Sequence, residues 1–190
     1  MTYYVENYGA SLVDGAQLVS STTPTSLLPT GAKVTLPAGY FGSPLGIGRG
    51  LRITLLGRMS VLNPTPGNFT LDMRLGAVVA ANGGAMALNT TAGKTNVAFE
   101  ATLYATCRAV GSGTSANLMF QWRMHSEAIA LAATGVGDLF APASVPAVGT
   151  GFDSTAAQTI DVFGTFSISN AANNITVHQY WLELLTSSQI

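Results

Sequence analysis

An antiparallel β-sandwich, specifically an eight-stranded jelly roll with an N-terminal arm, is the fold this sequence predicts. Three observations carry that expectation. Apolar and polar residues alternate at period 2 over much of the chain, strand breakers recur at short intervals, and no helical segments separate the strands. Strands linked this way pair antiparallel, and a sheet with one apolar face buries it against a second sheet.

Residues 1–30 are punctuated by Ser, Thr and Pro and hold few apolar positions. They read as an arm leading into a sandwich domain over residues 31–190. Tyr3, Tyr4 and Tyr8 lie on this arm, which has little core for them to join, so they are the candidate contacts to a partner such as a neighbouring subunit, the other reading being that they dock back onto their own domain. Gly46-Ile47-Gly48-Arg49-Gly50 is a flexible lead into the first long strand. There Leu51, Ile53, Leu55 and Met59 face one way and Arg52, Thr54, Arg58 and Ser60 the other. Pro64-Thr65-Pro66-Gly67 ends that strand. In the next, Phe69, Leu71, Met73 and Leu75 oppose Thr70, Asp72 and Arg74, and Asn82-Gly83-Gly84 is a hairpin signal.

From Val97 to Cys107 the odd positions are apolar, opposite Glu100, Thr102, Thr106 and Arg108. Gly111-Ser112-Gly113 turns the chain into a returning core face of Leu118, Phe120, Trp122 and Met124. Residues 126–133 are the one helix candidate, and Gly135 and Gly137 cut it short. Residues 134–157, rich in Gly, Ala and Pro, read as a long connection, which must lie against its own domain or a neighbour. Ile160, Val162, Phe166 and Ile168 then alternate with Thr159, Asp161, Thr165 and Ser167. In the last strand, from Ile175 to Leu182, the apolar parity shifts around Gln179 and Tyr180. That shift predicts a bulge or a strand buried on both faces.

Composition narrows the function classes. Charged residues make up 9% of the 190, against about 25% in an ordinary globular protein. Ser, Thr, Asn and Gln together number 52, and the mean hydropathy is +0.35. Disorder requires low hydrophobicity and high net charge, and a nucleic-acid binder a basic excess; the net charge here is -1. Cys107 is the single cysteine and sits on an apolar strand face, which suits a buried thiol and excludes a disulfide scaffold. The first residues lack the basic-then-apolar pattern of a signal peptide, and no apolar run is long enough to span a membrane. The charges are segregated: residues 1–48 net -1, residues 49–123 net +5 and residues 124–190 net -5. Either these strands neutralise one another within the sandwich, or a positive patch on one subunit meets a negative patch on another. Six of the eight bases are Arg, which suits bidentate pairing at interfaces.

No catalytic constellation emerges. Ala92-Gly93-Lys94-Thr95 ends like a phosphate-binding loop, but Leu88 stands where that loop needs a Gly. Phe152-Asp153-Ser154-Thr155 lacks the Gly of an aspartic-protease motif and reads as an Asp-Ser turn. His125 and Glu127 are two apart, and two ligands do not make a zinc site. His178 reads as a hydrogen-bonded structural histidine. No Gly-x-Ser-x-Gly elbow marks a serine nucleophile. The expectation is a non-enzymatic protein without metal or cofactor. Among the aromatics, Tyr40, Phe41, Tyr104, Tyr180 and Trp181 are candidates for a sugar platform, each also explicable as core or interface; Trp122 is core.

Several segments resemble a family of tailed-bacteriophage virion proteins. They are Thr35-Leu36-Pro37-Ala38-Gly39-Tyr40-Phe41, Gly50 to Ile53, Gly57 to Ser60, Pro66 to Gly76, Lys94 to Val97, Arg108 to Gly111, Gly149 to Thr155 and Ile175 to Tyr180. The resemblance spans roughly residues 27–185 and rests on strand and turn signatures. It implies a β-sandwich virion component, made in the bacterial host cytoplasm and placed on the capsid exterior. Its implied role is a head decoration (cement) protein that oligomerises with itself, as a homotrimer, and binds the major capsid protein, with no nucleic-acid or membrane partner. The alternatives are a receptor- or carbohydrate-binding domain of a tail fibre or spike, and a head-tail connector component.

Overall fold

The computed structural model describes residues 2–41 and 47–188, with side chains over 5–41 and 47–185. The strands are β1 (Thr2–Ala10), β2 (Leu18–Val19), β3 (Thr25–Ser26), β4 (Val34–Leu36), β5 (Gly50–Val61), β6 (Asn68–Leu75) and β7 (Val78–Asn82). They continue with β8 (Met86–Ala87), β9 (Lys94–Ala109), β10 (Asn117–Ser126), β11 (Gly137–Ala141), β12 (Ala147–Val148), β13 (Gln158–Phe166) and β14 (Asn174–Ser188). The larger sheet runs β1-β14-β5-β9-β10-β11, and the smaller runs β3-β13-β6-β7, with β4 beside β3 on the same side of β13.

The chain passes between the sheets in a fixed rhythm: β1 in the larger, β3 and β4 in the smaller, β5 back in the larger, β6 and β7 in the smaller, then β9, β13 and β14. The orders β1-β14-β5-β9 and β3/β4-β13-β6-β7 are the two facing sheets of an eight-stranded jelly roll. β10 and β11 widen the larger sheet beyond β9.

The alternating faces meet as expected. Leu51, Ile53 and Leu55 on β5, Leu103 and Cys107 on β9, and Trp122 on β10 pack toward Phe69, Leu71 and Met73 on β6 and Ile160, Val162 and Phe166 on β13. All of these are at most 1% exposed. Trp122 donates its indole N–H to the Ala81 carbonyl at 3.4 Å, so its one polar atom is satisfied inside the core. Cys107 is buried, and burial pushes its thiol pKa up, consistent with an inert packing residue.

The parity shift in the last strand is a bulge. His178 has no partner on β5, between Val177 and Gln179 in the register. Val177 and Tyr180 therefore both turn inward, and burial pushes the Tyr180 phenol pKa up. The bulge lies one residue before the expected place.

The structure places three stretches differently from the linear reading. Residues 2–30, expected as an arm with few core residues, supply edge strands to both sheets through β1, β2 and β3 and bury Leu18, Leu27 and Leu28. The physical reason is that β13 and β14 would otherwise present bare main-chain edges. The helix candidate over 126–133 is a single 3-10 turn, Glu127–Ile129, whose start is capped by the Ser126 hydroxyl accepting from the Ala128 N–H at 3.1 Å. The connection over 134–157 contains β11 and β12, both paired to β10. It then passes close to β7: the Gly149 N–H donates to the Leu118 carbonyl at 2.8 Å, and a Cβ there would meet the Ala80 carbonyl oxygen at 1.8 Å. Only glycine allows that approach.

Candidate binding surfaces

The outer face of the larger sheet is built by the residues that alternate with its core. Strand register sets them in rows across the sheet. One row runs Glu183, Arg52, Tyr104, Gln121. The next runs Trp181, Thr54, Thr102, Arg123, Phe140, and a third Gln179, Leu56, Glu100, His125, Asp138. Aromatic rings thus stand beside amide, hydroxyl and charged groups.

Two cross-strand ion pairs organise this face. Arg52 grips Glu183 through both Nε and Nη2, the latter at 2.6 Å from Oε1. Arg123 Nε lies 3.0 and 3.1 Å from the two Asp138 oxygens, and its Nη2 adds a further bond. The hydrogen bond from Arg52 holds the Glu183 carboxyl below its usual range, and that from Arg123 does the same for Asp138. Glu100 and His125, between these pairs, make no hydrogen bond or ion pair with any described residue. They border a hollow of about 330 Å³ walled by Leu56, Phe99, Glu127 and Val136, and a second of about 180 Å³ that reaches Thr102 and Arg123. Lys94 braces one wall, pairing with Glu127 at 3.2 Å and donating to the Ala133 carbonyl at 2.7 Å.

The outer face of the smaller sheet is different. Lys33 pairs with Asp161 at 2.8 Å, and the Ser26 hydroxyl donates to the same carboxylate at 2.8 Å. The Arg74 guanidinium lies 3.9 Å from the centre of the Phe163 ring. Asp72 is buried beside them, and its Oδ1 and the Arg74 Nε have no hydrogen-bond partner. Burial pushes the Asp72 carboxyl pKa up, against the opposing pull of Arg74.

Opposite edges of the larger sheet carry uncovered apolar side chains. On the β1 side Val5, Tyr8, Leu12 and Val13 are exposed, Leu12 at 97%. On the β11 side Leu131, Val136, Phe140 and Val148 are exposed, Leu131 at 93%.

The residues singled out from the sequence fall as follows. Tyr8 is exposed at the β1 edge; Tyr3 and Tyr4 lie on β1, with side chains outside the described residues. Lys94 of the phosphate-loop-like segment opens β9 and is used by Glu127. Asp153 forms the expected turn, accepting from the Thr155 N–H at 2.8 Å and hydroxyl at 2.6 Å. His178 meets Asp14, Nδ1 to Oδ2 at 3.0 Å. His125 and Glu127 do not share a strand face, because Glu127 has left β10, yet both border the larger hollow. Among the described residues no group of three metal-ligating side chains occurs. Tyr104 and Trp181 lie on the outer face, whereas Phe41 and Tyr180 are core. Glu100, Arg123 and Phe140 were not singled out; their only sequence signal is position on a polar or terminal strand face.

No known protein family matches the chain, and no curated protein matches it. Several solved structures resemble it, two of which follow. One is peanut lectin with a nine-residue peptide, at 9% identity and a TM-score of 0.39, covering 98% of this chain and 99% of that one. The other is the CBM2 module of an evolved Dit of Lactobacillus casei BL23 phage J-1, at 8% identity and a TM-score of 0.34, covering 100% of both chains.

Proposed function

We propose that this protein is a non-enzymatic structural subunit of a tailed-phage virion that decorates the capsid exterior. The observation that carries the reading is the pair of uncovered apolar edges on opposite sides of the larger sheet. Two unlike patches on one subunit suit a head-to-tail contact between copies, and such a contact closes into a ring when the rotation allows. A homotrimer is the smallest ring that such a contact can close. β1 has β14 on one side and no described strand on the other, so its main chain is free to extend a neighbour's sheet. A ring that contacts several capsid subunits gains about 10² to 10⁴ in effective affinity without any single strong contact. The low charge fits a subunit whose flanks are covered by neighbours. The resemblance of residues 27–185 to phage virion proteins supports the same setting.

The test is to mix the purified protein with undecorated capsids. The expected result is saturable binding and a higher capsid melting temperature, with Leu12→Asp and Leu131→Asp each weakening both. Absence of binding together with an unchanged melting temperature overturns the reading.

A second reading is a receptor- or carbohydrate-binding domain of a tail fibre or spike. It is favoured by Trp181, Tyr104 and Phe140 on adjacent rows of the larger sheet beside Gln121 and Gln179. Copy number in intact virions separates the two: decoration requires many copies, a fibre few.

A further inference from the structure

We infer that the hollow between β5, β9 and β10 is a binding subsite for a neutral saccharide ring, with Glu100 and His125 as its polar contacts. The inference deepens the receptor reading of the outer face and rests on it.

The ligand class follows from what the site offers and what it withholds. A pyranose has an apolar C–H face and a rim of hydroxyls. The hollow matches both, with Leu56, Phe99 and Val136 as apolar walls and Glu100, Thr102 and His125 as polar groups. A carboxylate accepts hydrogen bonds from two hydroxyls at once, and an imidazole donates or accepts. Both groups are unclaimed by any described residue, and register sets them directly opposite each other on β9 and β10. At about 330 Å³ and about 180 Å³, two adjoining hollows that share Glu100 and His125 have room for a short oligosaccharide.

Two alternatives are disfavoured by the same surroundings. Arg123 is committed to Asp138 and Arg58 donates to the Asn96 carbonyl, so the charged group that the hollow itself leaves without a hydrogen-bond partner is the anion of Glu100. That charge repels phosphate, sulfate and uronate groups. An extended peptide needs free main-chain partners, but β5, β9 and β10 are interior strands paired on both sides. Recognition must come from side chains, which is how a polyhydroxylated ligand is held. Trp181 on the neighbouring row and Tyr104 on the row beyond it provide stacking faces for further sugar units.

The experiment is saturation-transfer NMR and calorimetry of the full chain with neutral tetrasaccharides of glucose, galactose, mannose and N-acetylglucosamine, and with a sulfated tetrasaccharide. At least one neutral probe is expected to bind, and the sulfated one to bind more weakly. Glu100→Gln is expected to weaken binding about ten-fold, the worth of one charge-assisted hydrogen bond, and His125→Ala to weaken it as well. Both side chains are exposed, so thermal melts of the variants should match the wild type. Thr35→Ala, on the other sheet, serves as the control. Failure of every neutral probe, preference for the sulfated probe, or unchanged affinity in Glu100→Gln overturns the inference. Adsorption of the labelled protein to host cells is scored separately. Adsorption without tetrasaccharide binding sinks the saccharide subsite and leaves the receptor reading standing. Binding through Glu100 without adsorption does the reverse.

Discussion

On the outer face of the smaller sheet, Asp72, Arg74, Asp161 and Lys33 stand close together under partial cover, and Arg74 lies over Phe163. On the outer face of the larger sheet, Arg52 with Glu183 is partly covered, Arg123 with Asp138 is exposed, and Glu100 and His125 beside them are unclaimed. The first arrangement keeps its charges under cover, with Lys33 and Asp161 paired. The second fixes two pairs and leaves a third set free above a hollow. Both sheets leave polar atoms unpartnered, Asp72 and Arg74 on the smaller and Glu100 and His125 on the larger, but only those of the larger sheet are exposed, and these mark where a ligand has something to gain.

The largest expected effect breaks the smaller face. Arg74→Ala leaves the Asp72 carboxylate buried with its opposing charge gone, which should destabilise the fold by about 2 kcal/mol. Adding Asp72→Asn should restore most of the loss, since it removes the stranded charge. Arg52→Ala on the larger face should cost about 1 kcal/mol or less, because water replaces the lost partner of a partly exposed pair. Urea unfolding of the four proteins measures all three values. Equal losses for Arg74→Ala and Arg52→Ala would erase the distinction between the faces.

Acid titration sharpens the same contrast, with a smaller effect. Asp72 has its folded pKa raised by burial, so the native state holds that proton more tightly than the unfolded chain. Its contribution makes stability fall as pH rises from the unfolded carboxylate range through the raised value, and it is level above that. Glu183 has its folded pKa lowered by Arg52. Its contribution is fully present above the unfolded range and is lost as pH falls through the folded value. The two faces therefore oppose each other on mild acidification. Asp72→Asn should steepen the net loss of stability on acidification, and Glu183→Gln should flatten it, both followed by urea midpoints across that range.

The long strands were legible because each has one face in the core. Leu51-Ile53-Leu55 and Phe69-Leu71-Met73-Leu75 alternate without interruption, and all of them are buried. β2, β3, β8 and β12 were not legible, since two residues hold no period. β1 escaped notice because an edge strand with an open outer side need not alternate: Val5, Glu6, Asn7 and Tyr8 are all exposed. The residues of the hollow were visible as polar strand positions, but their meeting was not. Glu100 faces His125 only through the β9–β10 register, which passes an irregularity at Asn117 and Leu118 that no turn signal marks. The bulge at His178 was legible in the shifted parity, and it returns Tyr180 to the core while leaving Trp181 on the outer face.

Tyr104→Ala carries the smallest expected change in stability and the most pointed test of the comparison. Tyr104 is half-exposed in the centre of the larger face, opposite Arg52 on one side and Gln121 on the other. Arg52 keeps its bond to Glu183 without it. The loss in urea unfolding should stay within about 0.5 kcal/mol, as for ordinary surface substitutions. If the face is a ligand platform, the same change should lower adsorption to host cells or affinity for a bound tetrasaccharide by about ten-fold, the worth of one aromatic contact. Thr165→Ala, on the outer face of the smaller sheet, should change neither stability nor binding. A Tyr104 variant that loses stability but keeps binding would place this ring among the structural groups and confine recognition to the hollow beside Glu100.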